Sequence, residues 1–362
     1  MTSFESYILV FSLLFVSYLF IEVANFFNNE SLKYKFLVFL GLSIPVLLAA
    51  FRNSGTDLRT YYNMFFNNSQ LSWTNLIHER SFNELGNTVL LFVTGKIGGF
   101  NLYLFTYSAL SVVFIFLGLK NFVNKRYLGL SFFLYLMMYY PTSLNIMRQS
   151  AAVAVIFFGY KYIFNKKLIK YILCVLLAST FHISVLFTLP FYFLIKKDTL
   201  NKKVLLTILT SVAILTFSFS NIITMFSSLE GFERYDSYSQ LRGSENNYIF
   251  FLNLVIFLLL LLFKKGVDKH LGSISTVFFS LLIIGLGCTL IGYRQIFLKR
   301  ISSYTDIGQL VLIPYVLSSF QNGLSKFVAK ILILLLAACY FYIFYFYLGF
   351  GNIFPMNFQL YK

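Results

Sequence analysis

Five short clusters in this sequence bring together side chains that could hold an anion or move a proton. The first reads Phe51-Arg52-Asn53-Ser54-Gly55-Thr56-Asp57, with Tyr61 and Tyr62 just beyond. Gly55 permits a tight turn, and Asp57 with Tyr61, at i and i+4, shares one face of any helix that follows. Glu84 with Gly86 forms the second cluster and opens a short apolar run. The third is Asn145-Ile146-Met147-Arg148-Gln149, where a charge just inside a membrane-length helix is costly and by default functional. Phe181-His182-Ile183-Ser184 puts a lone histidine among apolar residues, and Lys299-Arg300-Ile301-Ser302-Ser303-Tyr304 pairs Arg300 with Tyr304 at i,i+4. Asp306 follows closely enough to neutralise Arg300. An arginine fork grips phosphate or carboxylate bidentately, and a histidine or carboxylate accepts a proton from a hydroxyl. The clusters therefore suit an anionic ligand and acid–base work.

The surroundings narrow the chemistry. The sequence has no phosphate-cradling Walker loop, no GxGxxG before a strand and no His/Cys cluster with metal-ligand spacing. No cofactor or metal is implied, and any reaction must draw its energy from an activated substrate. Cys174, Cys288 and Cys339 all sit in apolar stretches and read as small hydrophobes.

Of the 362 residues, 58% are hydrophobic and only 12% are charged, about half the charged share of a soluble domain. Soluble, disordered and collagen-like classes are excluded, and the chain reads as an all-α polytopic integral membrane protein. Apolar runs near the ~20 residues needed to cross a bilayer recur at about 7–27, 34–51, 101–119, 127–141, 144–163, 204–226, 248–263, 271–293, 301–320 and 328–349. The first is too long for a signal-peptide core and lacks a basic flank, so it is expected to stay as a membrane helix. Two further segments, 85–99 and 168–195, do not fit a simple crossing. Lysine clusters flank 168–195 on both sides, so it is predicted to enter and return as a hairpin broken near Ser179-Thr180-Phe181-His182. The same parity makes 85–99 re-entrant. Irregular backbone at membrane depth persists only against protein or a water-filled cavity, so both segments are candidate walls of a site. The expectation is one membrane domain over 1–362 with about 10–12 helices, ten of them full crossings. Both termini then lie outside, with outer loops at about 52–84 and 227–247.

The net charge of +16 would suggest nucleic acid on a soluble protein. Here it orients the chain, because basic loops stay cytoplasmic. On this topology Arg126 is the one arginine on the lysine-rich inner side, while Arg52, Arg59, Arg80, Arg148, Arg234, Arg242, Arg294 and Arg300 face outward. Orientation needs only charge, which lysine supplies. The outward arginines point instead to an anionic group held near the outer leaflet.

Arg52 with Gly55-Thr56-Asp57 and Tyr61, Glu84-Leu85-Gly86, Arg148-Gln149 with Ala151-Ala152, Phe181-His182-Ile183-Ser184, and Lys299-Arg300 with Tyr304 together resemble the EpsG-type family of bacterial polysaccharide polymerases. These are Wzy-like enzymes of capsule, exopolysaccharide and O-antigen assembly. The resemblance implies GT-C-like architecture in the cytoplasmic membrane. It implies a glycosyltransferase that joins undecaprenyl-diphosphate-linked oligosaccharide repeat units at the outer face, with a chain-length regulator as a further partner. On that reading Arg148 and Arg300, with Arg52, hold the diphosphate, and His182, Asp57 or Glu84 takes the acceptor proton, His182 first among them. Gly55, Tyr61, Gln149, Ser184 and Tyr304 complete the expected substrate site. A flippase for the same lipid-linked oligosaccharide is the leading alternative, although it would carry more intramembrane ionisable groups than Glu22 and Asp306. A polyprenyl-phosphate-sugar glycosyltransferase is the other, and there paired acids would be expected where Asp57 stands alone.

Overall fold

The computed structural model describes residues 2–80, 84–194, 248–292 and 296–361. Among them all regular structure is helical, apart from one antiparallel bridge between Arg52 and Phe358. The expected span 204–226, the outer loop 227–247 with Arg234 and Arg242, and Arg294 lie outside the described residues.

A reciprocal capping box between Thr2 and Glu5 starts α1 (Ser3–Ala24), and the Ser31 hydroxyl accepts the Tyr34 amide to start α2 (Leu32–Phe51). The first outer loop is largely helical rather than irregular: α3 (Leu58–Ser69) and α4 (Trp73–Arg80). Leu58, Tyr61, Phe65 and Ser69 recur every three to four residues and form the buried stripe of α3, which explains why a polar segment still folds as a helix. Then follow α5 (Leu85–Ile97), α6 (Gly99–Phe122), α7 (Lys125–Met138), α8 (Tyr140–Asn145), α9 (Met147–Gly159) and α10 (Lys161–Phe164). Next come α11 (Leu168–Ser179), a tight turn at Ile183–Thr188, and α12 (Phe191–Leu194). The later helices are α13 (Tyr248–Leu262), α14 (Lys264–Leu271), α15 (Ser273–Ile291), α16 (Ile296–Asp306), α17 (Gln309–Tyr315) and α18 (Gly323–Phe341).

Five of these, α1, α2, α6, α15 and α18, are long and apolar enough to cross a membrane, and α13 with α14, bent by 74°, makes a sixth if taken as one span. The expected crossings 127–141, 144–163 and 301–320 are instead interrupted helices. The first and third still run from one end of the bundle to the other. Lys125 at the start of α7 donates to the Phe27 carbonyl in the α1–α2 loop, whereas Leu144 in α8 bonds Arg52 at the far end of α2. Likewise the Arg300 carbonyl on α16 meets Gln149, while the Tyr315 hydroxyl on α17 reaches the Asn124 amide beside α7. Pro141, early in α8, removes an amide from the helical ladder and accounts for the break at Tyr139. Freed backbone groups find tyrosines: the Tyr139 and Tyr160 hydroxyls donate to the carbonyls of Asp306 (2.7 Å) and Tyr304 (2.6 Å). That is the condition on which broken helices survive at membrane depth.

Inside the bundle lies α7, whose residues from Tyr127 to Met137 are all buried. At the outer rim the C-terminal segment folds back across the ends of the early helices. Gln359 donates to Phe51 O (2.7 Å), Asn53 to Asn357 O (3.0 Å) and Tyr361 to Asn101 Oδ1 (2.7 Å). The Ser6 hydroxyl donates to the Met356 carbonyl and accepts its amide. Residues near both ends of the described chain therefore meet at one end of the bundle.

Arg52 does not face a ligand site. It is fully buried, and its Nη atoms donate to the carbonyls of Ala49 (2.6 Å) and Leu144 (2.5 Å), so it ties α2 to α8. The sequence reading expects Arg52 to grip an anion; in the structure its Nη groups hold backbone carbonyls. Arg52→Ala should strip two buried carbonyls of their donor and leave a cavity, costing on the order of 2–5 kcal/mol. The thermal midpoint of the purified protein in detergent should fall by several degrees, and an unchanged midpoint would refute the cross-link.

Candidate functional site

The two segments expected to be re-entrant meet each other. Residues 168–194 enter along α11, break at Thr180–His182 and return, which brings the Tyr171 hydroxyl to Thr188 O (2.8 Å) and its ring to Tyr192. The head of α5 abuts this break, where the Asn87 amide donates to Thr180 O (3.3 Å). A Cβ on Gly86 would lie 2.5 Å from Thr180 Oγ1 and 3.0 Å from Thr180 O, so only glycine allows the approach.

At this junction Glu84 takes two partners. One carboxylate oxygen accepts from Arg148 Nη1, and the other lies 3.0 Å from His182 Nδ1. A carboxylate only accepts, so the proton of a neutral His182 sits on Nδ1 and leaves Nε2 as the basic nitrogen. That Nε2 is buried and has no hydrogen-bond partner among the described residues. Glu84 and His182 are nearly closed off, with side-chain exposures of 3% and 11%, whereas Arg148 keeps 26%, so the cluster opens on the arginine side. Glu84 also has left-handed backbone (φ 58°), a conformation that costs a non-glycine residue of order 1–3 kcal/mol and gathers at functional sites. Tyr61 lies under the Arg148 guanidinium, 6.0 Å from ring centre to Cζ. Burial pushes its phenol up, so it remains a neutral hydrogen-bonding group.

A second group of expected residues lines the neighbouring wall. Gln149, next to Arg148, donates to Arg300 O and Ser303 Oγ, both at 2.8 Å, and fixes α9 against α16. The hydroxyls of Ser184 and Tyr304 are 2.8 Å apart and tie the hairpin to the same helix. Arg300 is near enough for its charge to act on His182. Beside these residues opens a cavity of about 430 Å³ whose lining includes Gln149, Lys299, Arg300, Ser303, Asp306 and Tyr139.

Of the residues singled out from the sequence, the structure brings Glu84, Arg148, His182 and Tyr61 into one cluster, with Gln149, Ser184, Arg300 and Tyr304 along its wall. Gly55 is structural: its φ of +123° makes the turn before α3, and a Cβ there would meet Asn145 Oδ1 at 2.6 Å. Asp57 sits at the start of α3, one turn from Tyr61, without capping that helix through its side chain. Asp306 was expected to neutralise Arg300. Its carboxylate accepts instead from Asn253 Nδ2 (3.0 Å), and Asn253 Oδ1 accepts from Gln309 Nε2 (3.0 Å). Sequence reading missed this network, although Asn253 and Gln309 are conspicuous as amides within apolar spans.

The family described as the EpsG family matches residues 34–360, nearly the whole chain. Neither a curated protein nor a solved structure matches it.

Gly86→Ala should force α5 away from the hairpin and lower the thermal midpoint. Adding Thr180→Ala should restore only part of it, because the Thr180 carbonyl still obstructs the new methyl. Equal midpoints for the wild type and Gly86→Ala would show that the two segments are not in this contact.

Proposed function

The chain belongs to the EpsG family, and on that basis we propose that it is a GT-C-like polysaccharide polymerase of the bacterial cytoplasmic membrane. It joins undecaprenyl-diphosphate-linked oligosaccharide repeat units at the outer face. The observation that carries this reading is the junction at Glu84, where one carboxylate at the head of α5 orients a histidine of the 168–194 hairpin and anchors an arginine of α9.

In this reaction a hydroxyl oxygen of one unit attacks the anomeric carbon of the other. A new C–O bond forms as the bond to the diphosphate breaks, and the diphosphate departs with the electron pair. His182 Nε2 takes the hydroxyl proton. Glu84 holds the imidazole by Nδ1 and balances the imidazolium that forms, as orienting carboxylates do in other histidine bases. Glu84 is therefore a positioning group rather than the base itself, and His182 is preferred over Asp57, which stands at the head of α3.

The leaving group needs positive charge already in place. Glu84 engages one nitrogen of Arg148, and the fork has further donors. Arg148 and Arg300 against Glu84 leave one net positive charge near a neutral His182, and proton transfer to His182 raises it to two as the diphosphate separates. The adjoining cavity, with amide, hydroxyl and carboxylate groups beside Tyr139, suits a saccharide. No nucleotide or metal enters the scheme.

His182→Gln should cut the polymerisation rate by roughly 10²–10⁴-fold, the usual contribution of a general base. Arg148→Lys should also fail, since an ammonium cannot hold Glu84 and a phosphate oxygen with the same fork. Both are read as polymer length on gels, in a deletion strain and with purified lipid-linked repeat unit. Wild-type polymer from both variants at equal expression would overturn the reading.

A further inference from the structure

The reaction leaves one feature of the charge pattern unused. On the topology expected from the sequence, Arg126 is the single arginine on the lysine-rich side, where lysine alone would set orientation. In the structure it lines a pocket of about 250 Å³ with Lys326 and Lys330, between the starts of α7 and α18. We propose that this pocket binds the phosphate headgroup of an anionic glycerophospholipid from the leaflet on that side.

The charges in the pocket are not cancelled internally. Lys330 donates to Glu22 on α1, so one of the three cations has a carboxylate partner. Arg126 and Lys326 have none among the described residues, which leaves two positive charges facing the opening. The Arg126 guanidinium packs 4.5 Å from the centre of the Tyr127 ring, which limits the rotamer freedom it must give up on binding. A planar fork held in this way suits the two free oxygens of a phosphodiester better than lysine does.

The pocket floor and its exit are apolar. Leu130 and Leu317 are buried beneath the charged rim, and Phe327, 62% exposed, flanks it. From there the outward face of α18 continues through Leu324, Val328, Ile331, Leu332 and Leu335, all exposed. Only 11% of this span is buried in the protein, less than in any other candidate span among the described residues. A phosphate seated between Arg126 and Lys326 would therefore have an apolar track running from it into the membrane. A free anion has no use for such a track, whereas a phospholipid does. Basic pockets between membrane helices on the positive side recognise lipid headgroups by this combination.

The test uses the full chain purified in detergent and titrated with phosphatidylglycerol, phosphatidylcholine, a polyprenyl phosphate or inorganic phosphate. Thermal midpoint and lipid retention by native mass spectrometry are both read. Phosphatidylglycerol should raise the midpoint and be retained. Arg126→Gln with Lys326→Gln, both at exposed positions, should weaken retention by roughly thirtyfold, on the scale expected for two interfacial cations. Lys265→Gln with Lys269→Gln, on the same lysine-rich side but not among the residues lining the pocket, should leave retention unchanged. Equal stabilisation by phosphatidylcholine, by inorganic phosphate or by polyprenyl phosphate would overturn the assignment, as would wild-type retention in the Arg126/Lys326 variant. The outcome does not depend on polymerase activity, so it stands or falls apart from the proposed reaction.

Discussion

The arrangement of the site depends on one carboxylate. Glu84 is almost wholly withdrawn from solvent, and each of its oxygens is bound to a different element: Arg148 on α9 and His182 at the break of the hairpin. A carboxylate buried without partners would be too costly to remain charged, so these contacts are a condition of its being there. Arg148 answers its charge and His182 completes its hydrogen bonding. In return Glu84 fixes the histidine tautomer and the rotamer of the arginine. The head of α5 and the break of the hairpin meet here as well through backbone, the Asn87 amide donating to Thr180 O.

The same constraint runs through the rest of the bundle. Helices that break in the apolar layer leave carbonyls without amide partners. Here tyrosine hydroxyls supply the missing donors, Tyr139 to Asp306 and Tyr160 to Tyr304, and where Pro45 removes an amide inside α2 the Ser17 hydroxyl donates to the Gly41 carbonyl. A phenol suits this task, having an apolar ring to pack in the core and one hydroxyl to donate. Part of the chain's large tyrosine content is therefore explained by its interrupted helices.

How much of this was legible beforehand depended on the range of the signal. Glu84, Arg148 and His182 stood out because an ionisable group in an apolar run is rare enough to notice singly. The hairpin at 168–195 followed from length and flanking lysines, both local properties. The broken crossings were legible only in part: Pro141 marks the break at Tyr139, but the partners of Tyr139 and Tyr160 lie 167 and 144 residues away in sequence. Arg52 was misread for a related reason. An arginine at the end of a span looks alike whether it faces a ligand or its own carbonyls, and only the position of Leu144 decides between them. The amides at Asn253 and Gln309 were visible, but nothing local indicated that they share Asp306.

The strap at residues 353–361 has a consequence for biogenesis. It binds the outer ends of α1, α2 and α6 through contacts that span 260 to 350 residues of sequence. A ribosome delivers those helices to the membrane long before it reaches their clasp. Until then Asn53, Asn101 and the last turn of α2 must keep their polar groups in water or in transient contacts. The outer rim is thus the last part to mature, and assembly closes on the face where the chain's earliest and latest residues meet.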